Sequence, residues 1–313
     1  MNSVRITGRG IYFPKLSHTN ETLPALDAPP TPEQLARLGV HRRGWAGQGE
    51  GVAEMGAWAA ERALASADTR AADIDLLILA NWTQRRYIPE LAPKIQQLLG
   101  AAQAFAFDVS GACTGFVSGV AIAHNFLQQP RYERALVVGS ETVSQRAKPG
   151  SRATLVYGDA AAAWVLERGL QPGLQLIDYE LQSDGSHHEL MCVDEQGHVE
   201  THAPQMEINQ LAAGSMARVS RKLLERNHLT LSDVTWVVPH SGTEGIQVAL
   251  SKALEVPAEK LLSNFRSVGN VSSAAIPASL EHFIDAGQIK PGDLILSPAV
   301  GTGWYSSAML YRI

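Results

Sequence analysis

Two stretches of this chain follow the same plan, and that internal echo limits the fold more than any single motif. In the first, the apolar strand IDLLILAN (74–81) is followed by a helical segment, IPELAPKIQQLLG (88–100), then another apolar strand and a tight turn holding Cys113. In the second, VTWVVPH (234–240) is followed by the helical TEGIQVALSKAL, the segment KLLSNFRSVGN and a turn holding Asn270. Cys113 lies 32 residues beyond Asn81, and Asn270 lies 30 beyond His240. A duplicated unit is the economical reading. A Gly-Pro-rich joint at 169–173 separates the copies, giving halves 1–169, with the cysteine, and 170–313, with the histidine and asparagine. Apolar strands alternating with amphipathic helices make each half α/β. The two turns and the end of the His240 strand are expected to converge on one cavity between the halves.

The remaining pattern fits that plan. VRITGRGIYFP (4–14) reads as a strand running into a turn, and the proline-rich 18–39 as a loop with a short helix. The alanine-rich stretch after Gly51 reads as an amphipathic helix to Ser66. RALVVGSE (134–141), AAAAWVLER (160–168) and LQLIDYELQSD read as strands. Residues 212–227 and 272–287 read as helices, with Pro277 tolerable in a first turn. Residues 293–313 give two strands around a glycine turn.

Cys113 deserves separate treatment. AFAFDV is a buried strand, SGAC a small-sided turn, and TGFVSGVAIAHNFL an apolar helix, so the sulfur stands at a strand-to-helix corner. Unpaired N–H groups of the first helical turn point toward it, which favours thiolate and supplies donors for an oxyanion. Gly111, Gly115 and Gly119 fall four apart and strip one helical face of side chains, so another backbone can lie against it. Buried cysteines are also common as plain filler. The corner alone leaves both readings open.

Composition narrows the partners. The chain has 313 residues, 45% hydrophobic and 18% charged, with formal charge −5, so neither nucleic acid nor an anionic membrane is expected. Local basic groups occur at His41-Arg42-Arg43, Arg85-Arg86, Lys148 with Arg152, and Arg218-Arg221-Lys222; they read as solvated surface or as docking points for an anionic substrate or carrier. Two cysteines imply no disulfide framework and a reducing compartment. The N-terminus lacks the pattern of a signal peptide, and no apolar stretch reaches membrane-spanning length. A cytoplasmic location is expected.

A thiol, an imidazole and a carboxamide without a carboxylate partner restrict the chemistry. Cysteine can accept an acyl group from a thioester and hold it. His240 Nε2–H and the Asn270 side-chain N–H can stabilise a thioester enolate left by decarboxylation. The Cys113 backbone N–H, with one from the VGTG turn, can serve acyl transfer. The sum is a carbon–carbon bond-forming thioester condensation.

At this point the chain resembles the β-ketoacyl-acyl carrier protein synthase III family of the thiolase superfamily, nearly end to end. The likeness runs through ITGRGIYFP, AFDVSGACTGF, VVGSE, YGDAAAA, VVPH, GNVSSAAIPASL and IKPGDLILSPAVGTG. It implies a five-layered αβαβα fold of two duplicated halves and a homodimer. It implies acylation of Cys113 by acyl-CoA, then decarboxylative condensation with malonyl-acyl carrier protein or malonyl-CoA, with Cys113, His240 and Asn270 catalytic. No metal or redox cofactor is implied. Arg37 and Arg152 match arginines that flank the CoA nucleotide, and Thr302 stands at the oxyanion turn, where a backbone N–H is what matters.

The departures concern partners. Glu33 stands where the family has a tryptophan that stacks on adenine. Ser241-Gly242-Thr243-Glu244-Gly245 replaces the usual Gln-Ala-Asn-x-Arg, and the pantetheine-tunnel segment is not recognisable in MEINQLAAGSMARVS. A divergent acyltransferase of the same fold with an unusual acceptor is therefore the nearest alternative. A non-catalytic partner subunit has no need of all three reactive residues, and a cysteine hydrolase lacks a carboxylate partner for His240. Cys192, His198, His202 and the His187-His188 pair fall short of a zinc set and read as surface. Gly8-Arg9-Gly10 lacks the rest of a dinucleotide fingerprint and reads as a turn.

Overall fold

The structure, a computed structural model, describes residues 3–84, 86 and 88–313. Arg85 of the Arg85-Arg86 pair and the first two residues of the N-terminal segment lie outside the described residues. In chain order, β1 (Val4–Tyr12) leads to a ribbon of β2 (Leu16–Thr19) and β3 (Arg42–Trp45), with α1 (Pro32–Leu38) between them. Then come α2 (Val52–Ser66), β4 (Leu76–Ala80), α3 (Ala92–Leu99), β5 (Phe105–Val109), α4 (Gly115–Leu127), β6 (Arg134–Thr142) and β7 (Asp159–Arg168). After the joint follow β8 (Leu174–Ser183), the hairpin β9 (Met191–Val193) and β10 (Val199–Thr201), and α5 (Gln205–Arg226). The chain closes with β11 (Trp236–Val237), α6 (Glu244–Leu254), α7 (Phe265–Val268), α8 (Ala275–Asp285), β12 (Leu294–Gly301) and β13 (Tyr305–Arg312).

Nine strands line up in the order β11-β12-β13-β8-β1-β7-β6-β4-β5. The alternation of apolar side chains on two-faced strands then dictates the layers. In β4, Leu76 and Ile78 face a central core with Phe116 and Val120 of α4, Ile276 and Leu280 of α8, and Met309 and Tyr311 of β13. Leu77 and Leu79 face the opposite way, into an alanine-rich core under α2 and α3. On the far side, Leu294 and Leu296 of β12 and Leu310 of β13 meet α5 and α6 in a third core. The two arms of this one sheet thus alternate with helices, in the layer order helix, sheet arm, helix, sheet arm, helix.

Local sequence explains the elements. Thr31 and Gln34 cap α1 reciprocally, with Pro32 at its first position and Gly39 left-handed at its end. Gly115 and Gly119 seat α4 on the sheet: a Cβ at either would come within 3.2 Å of Ala80 Cβ or 2.9 Å of Val137 Cγ1. Ala160 to Ala163 of β7 are fully buried on both faces, their small side chains admitting helices above and below.

Three expectations change. Gly8 and Gly10 are not in a turn but inside β1, where a Cβ would strike the carbonyl oxygens of Ala63 and Ala59 at 2.1 and 2.2 Å, so α2 lies directly on the strand. The apolar VTWVVPH forms ladder pairs only at Trp236 and Val237, although the chain runs on beside β12, with the His240 N–H bonded to the Pro298 carbonyl at 2.8 Å. Helix α5 begins at Gln205, seven residues before the expected start, so MEINQLAAGSMARVS is helical.

Candidate active site

Cys113 stands in a single helical turn, Ala112–Thr114, between β5 and α4. Thr114 ties the turn by bonding the Gly111 carbonyl through its hydroxyl at 2.7 Å. Ala112 takes a left-handed conformation, φ 46°, which a side chain adopts only at a cost. The second corner repeats this geometry. Ser272–Ala274 forms the same kind of turn before α8, and Ser272 has φ 52°. The corners therefore correspond, but Asn270 sits two residues ahead of its turn whereas Cys113 sits within its own.

Asn270 is fixed through its backbone and its side chain. Its N–H donates to Val156 O at 2.8 Å, its carbonyl accepts from Gly158 N–H at 3.1 Å, and its Oδ1 accepts from Ser272 N–H at 3.0 Å. Nδ2 lies against Gly242, where an added Cβ would be 2.5 Å away. Gly242 is two residues beyond His240, so the carboxamide and the histidine segment are packed together.

His240 is 4% exposed, and among the described residues its Nδ1 has no hydrogen-bond partner. Burial lowers its pKa to about 4, so the ring is a neutral imidazole at physiological pH. Such a ring can donate one N–H without carrying charge.

Gly301, at the end of β12, closes the other side of Cys113. A Cβ there would come within 3.0 Å of the Cys113 nitrogen and 2.9 Å of the Gly111 carbonyl oxygen. Thr302, half-buried, follows it. The VGTG turn thus lies at the Cys113 backbone.

The expected thiolate is not found. Burial, reinforced by the Glu141 charge, pushes the Cys113 thiol up to about 12, and the Ser272 hydroxyl acts in the opposite direction. Placement at a helix start does not outweigh desolvation of the sulfur beside a carboxylate.

Sequence reasoning assigned no role to the groups behind the sulfur. Ser272 Oγ accepts from Trp82 Nε1 at 2.8 Å and lies 3.4 Å from Cys113 Sγ and 3.5 Å from Glu141 Oε1. Glu141, fully buried, accepts from Thr83 Oγ1 and Ser273 Oγ, both at 2.8 Å, and from the N–H groups of Trp82 and Thr83, both at 3.2 Å. Burial raises its pKa to about 7 in spite of those bonds. Its only sequence signal was the family-like VVGSE.

The basic clusters divide. Arg37 is exposed and paired with Glu33 at 2.7 Å, and Arg152 is exposed. Arg43 is fully buried, giving its guanidinium to Asn20 Oδ1 at 2.6 Å and the Leu155 carbonyl at 2.7 Å, so it is a structural strut and not a surface docking point. Lys222 bonds Glu180 at 2.6 Å, and Arg221 donates to the Ala253 carbonyl at 2.6 Å. Cys192 and His202 do come together, joined by Glu200, while His198 pairs with Asp194 and His187 with Asp184.

Comparison with known proteins identifies the family. The family profile described as 3-Oxoacyl-[acyl-carrier-protein (ACP)] synthase III matches residues 107–185, and that of its C terminal matches 224–313. The beta-ketoacyl-[acyl-carrier-protein] synthase III of Pectobacterium atrosepticum is 32% identical, over 98% of this chain and 99% of its own. That of Paramagnetospirillum magneticum is 34% identical, over 99% and 98%. The crystal structure of 3-oxoacyl-[acyl-carrier-protein] synthase III from Aquifex aeolicus superposes with TM-score 0.92 at 33% identity, covering 99% of this chain and 100% of that one. The chain therefore belongs to the β-ketoacyl-[acyl-carrier-protein] synthase III family, with its thiolase-like fold, and is a condensing enzyme of the acyltransferase type.

Proposed function

We propose that the chain performs a two-step condensation between thioesters with Cys113 as nucleophile. In the first step the sulfur adds to the carbonyl carbon of an acyl-CoA. The carbon–sulfur bond to CoA breaks, and the cysteine proton leaves with the CoA thiol. The backbone N–H groups of Cys113 and of the Thr302 turn hold the oxyanion.

In the second step a malonyl thioester, carried by acyl carrier protein or CoA, loses carbon dioxide. The electron pair left behind forms an enolate, whose oxygen accepts from His240 Nε2–H and Asn270 Nδ2–H. Its carbon attacks the acyl group on Cys113, the carbon–sulfur bond breaks, and the thiolate takes a proton from solvent. A neutral His240 suits this role, because it supplies a donor without surrendering a charge.

The observation that carries the reading is the meeting of the Cys113 turn with Gly301 on one side and Ser272 on the other, while the Asn270 amide rests on the histidine segment. Arg37 and Arg152, both exposed, are proposed contacts for the CoA nucleotide. The halves 1–169 and 170–313 are proposed copies of one unit, supported by their two matching left-handed corners. A homodimer belongs to the same reading: β5 ends the sheet, its Phe105 is 57% exposed, and edge strands are natural pairing surfaces. Free Cys113 and Cys192 suit a reducing cytoplasm. Among the described residues no helix is long and apolar enough to cross a membrane.

Intact-protein mass spectrometry tests the scheme. An acyl-CoA should add one acyl mass that is lost in Cys113→Ala, and malonyl-acyl carrier protein should remove it with release of carbon dioxide. Acylation without that discharge would favour a different acceptor, and turnover unchanged in Cys113→Ala would remove the covalent step altogether.

A further inference from the structure

The β9–β10 hairpin carries a second group of chemically capable side chains. Its register pairs Cys192 directly with Glu200, and His202 follows two residues on, which places all three on one face of the ribbon. The three ligand-type atoms are mutually close: Cys192 Sγ is 3.5 Å from Glu200 Oε1 and 3.1 Å from His202 Nε2, and these last two are 3.1 Å apart. Glu200 and His202 are about half exposed, so the outer side of the triangle opens to solvent.

We propose that Cys192, Glu200 and His202 form a binding site for a borderline divalent transition metal of the zinc class. Three features carry the assignment. A tetrahedral zinc ion, with sulfur at about 2.3 Å and nitrogen or oxygen at about 2.0–2.1 Å, spaces its ligand atoms roughly 3.3–3.6 Å apart. The observed triangle needs to widen by no more than about half an ångström to match it. Charge also balances, since a thiolate, a carboxylate and a neutral imidazole complete a dication, and binding releases one proton from the cysteine to solvent. A thiolate with an imidazole selects zinc-like ions over magnesium or calcium, which prefer an all-oxygen shell.

Surrounding charge points the same way, because the carboxylates of Glu189 and Asp194 as well as Glu200 place negative potential around the Cys192 sulfur. Water from the open face completes the fourth position. An ion held there would staple β9 to β10 across their ladder. The hairpin is already tied to the body of the protein, because Arg146 donates to the Gly197 carbonyl at 3.1 Å and to the Thr83 carbonyl at 2.6 Å.

The test uses the whole 313-residue chain and its two cysteines. Zinc titration by calorimetry should give one site per chain, with affinity reduced at least about tenfold in Cys192→Ser and, separately, in His202→Ala. Cobalt(II) should produce a thiolate-to-metal absorption band that survives in Cys113→Ser and disappears in Cys192→Ser. Equal zinc affinity in wild type and both hairpin variants, or a cobalt band that follows Cys113, would overturn the assignment. Neither readout depends on the condensation reaction.

Discussion

Gly301→Ala probes the close approach of β12 to the Cys113 turn. The added methyl would lie 3.0 Å from the Cys113 nitrogen, 2.9 Å from the Gly111 carbonyl oxygen and 3.2 Å from Ala112 Cβ. These neighbours belong to a short turn that is locked by the Thr114 hydroxyl and already holds Ala112 at φ 46°, so they have little freedom to retreat. Either the turn moves by a few tenths of an ångström or the methyl intrudes on the space before the Cys113 N–H. Overpacking of this kind costs about 1–3 kcal/mol of stability. Misplacing one oxyanion donor costs about 2.7–4 kcal/mol, or roughly 10²–10³ in rate. The assay is rapid-quench mass spectrometry of Cys113 acylation by acyl-CoA on protein shown by circular dichroism to be folded. Acylation slowed about a hundredfold or more is expected. A folded Gly301→Ala protein that acylates within about threefold of wild type would refute the placement of the oxyanion donors at this turn.

Two further outcomes follow from the buried charges. With the Cys113 thiol pushed up to about 12, its alkylation by iodoacetamide should climb about tenfold per pH unit from 7 to 9 without levelling, and an inflection below pH 8 would reveal a stabilised thiolate instead. Glu141 has a folded pKa of about 7, above the ordinary 4.5, so its contribution to stability is full below pH 4.5 and is lost as the pH rises through 7. Glu141→Gln should therefore gain on wild type by roughly 3 kcal/mol in urea unfolding between pH 4.5 and pH 8, and a constant difference across that range would contradict a carboxylate whose burial outweighs its hydrogen bonds.

What could be read from the sequence is what local rules decide. The Cys113 and Asn270 turns stood out because small residues interrupt strongly apolar periodic segments, and the glycines of α4 announced close packing. Glu141 was invisible because its burial depends on donors from Trp82, Thr83 and Ser273, which no local pattern links. Arg43 looked like part of a basic surface cluster until its carbonyl acceptor at Leu155, 112 residues away, was in view. The thiolate expectation erred for a related reason: a helix start is a local feature, whereas desolvation is set by the whole fold. Gly8 and Gly10 looked like a turn because the sequence does not show that a helix lies across them.

The division of labour between the two half-reactions is tested most directly by following the acyl-enzyme mass in Asn270→Ala. If the carboxamide serves only the enolate, Cys113 should load from acyl-CoA at close to the wild-type rate. The adduct should then persist in malonyl-acyl carrier protein, discharging about 10²–10³ times more slowly. Discharge at the wild-type rate, or loss of the loading step itself, would contradict it.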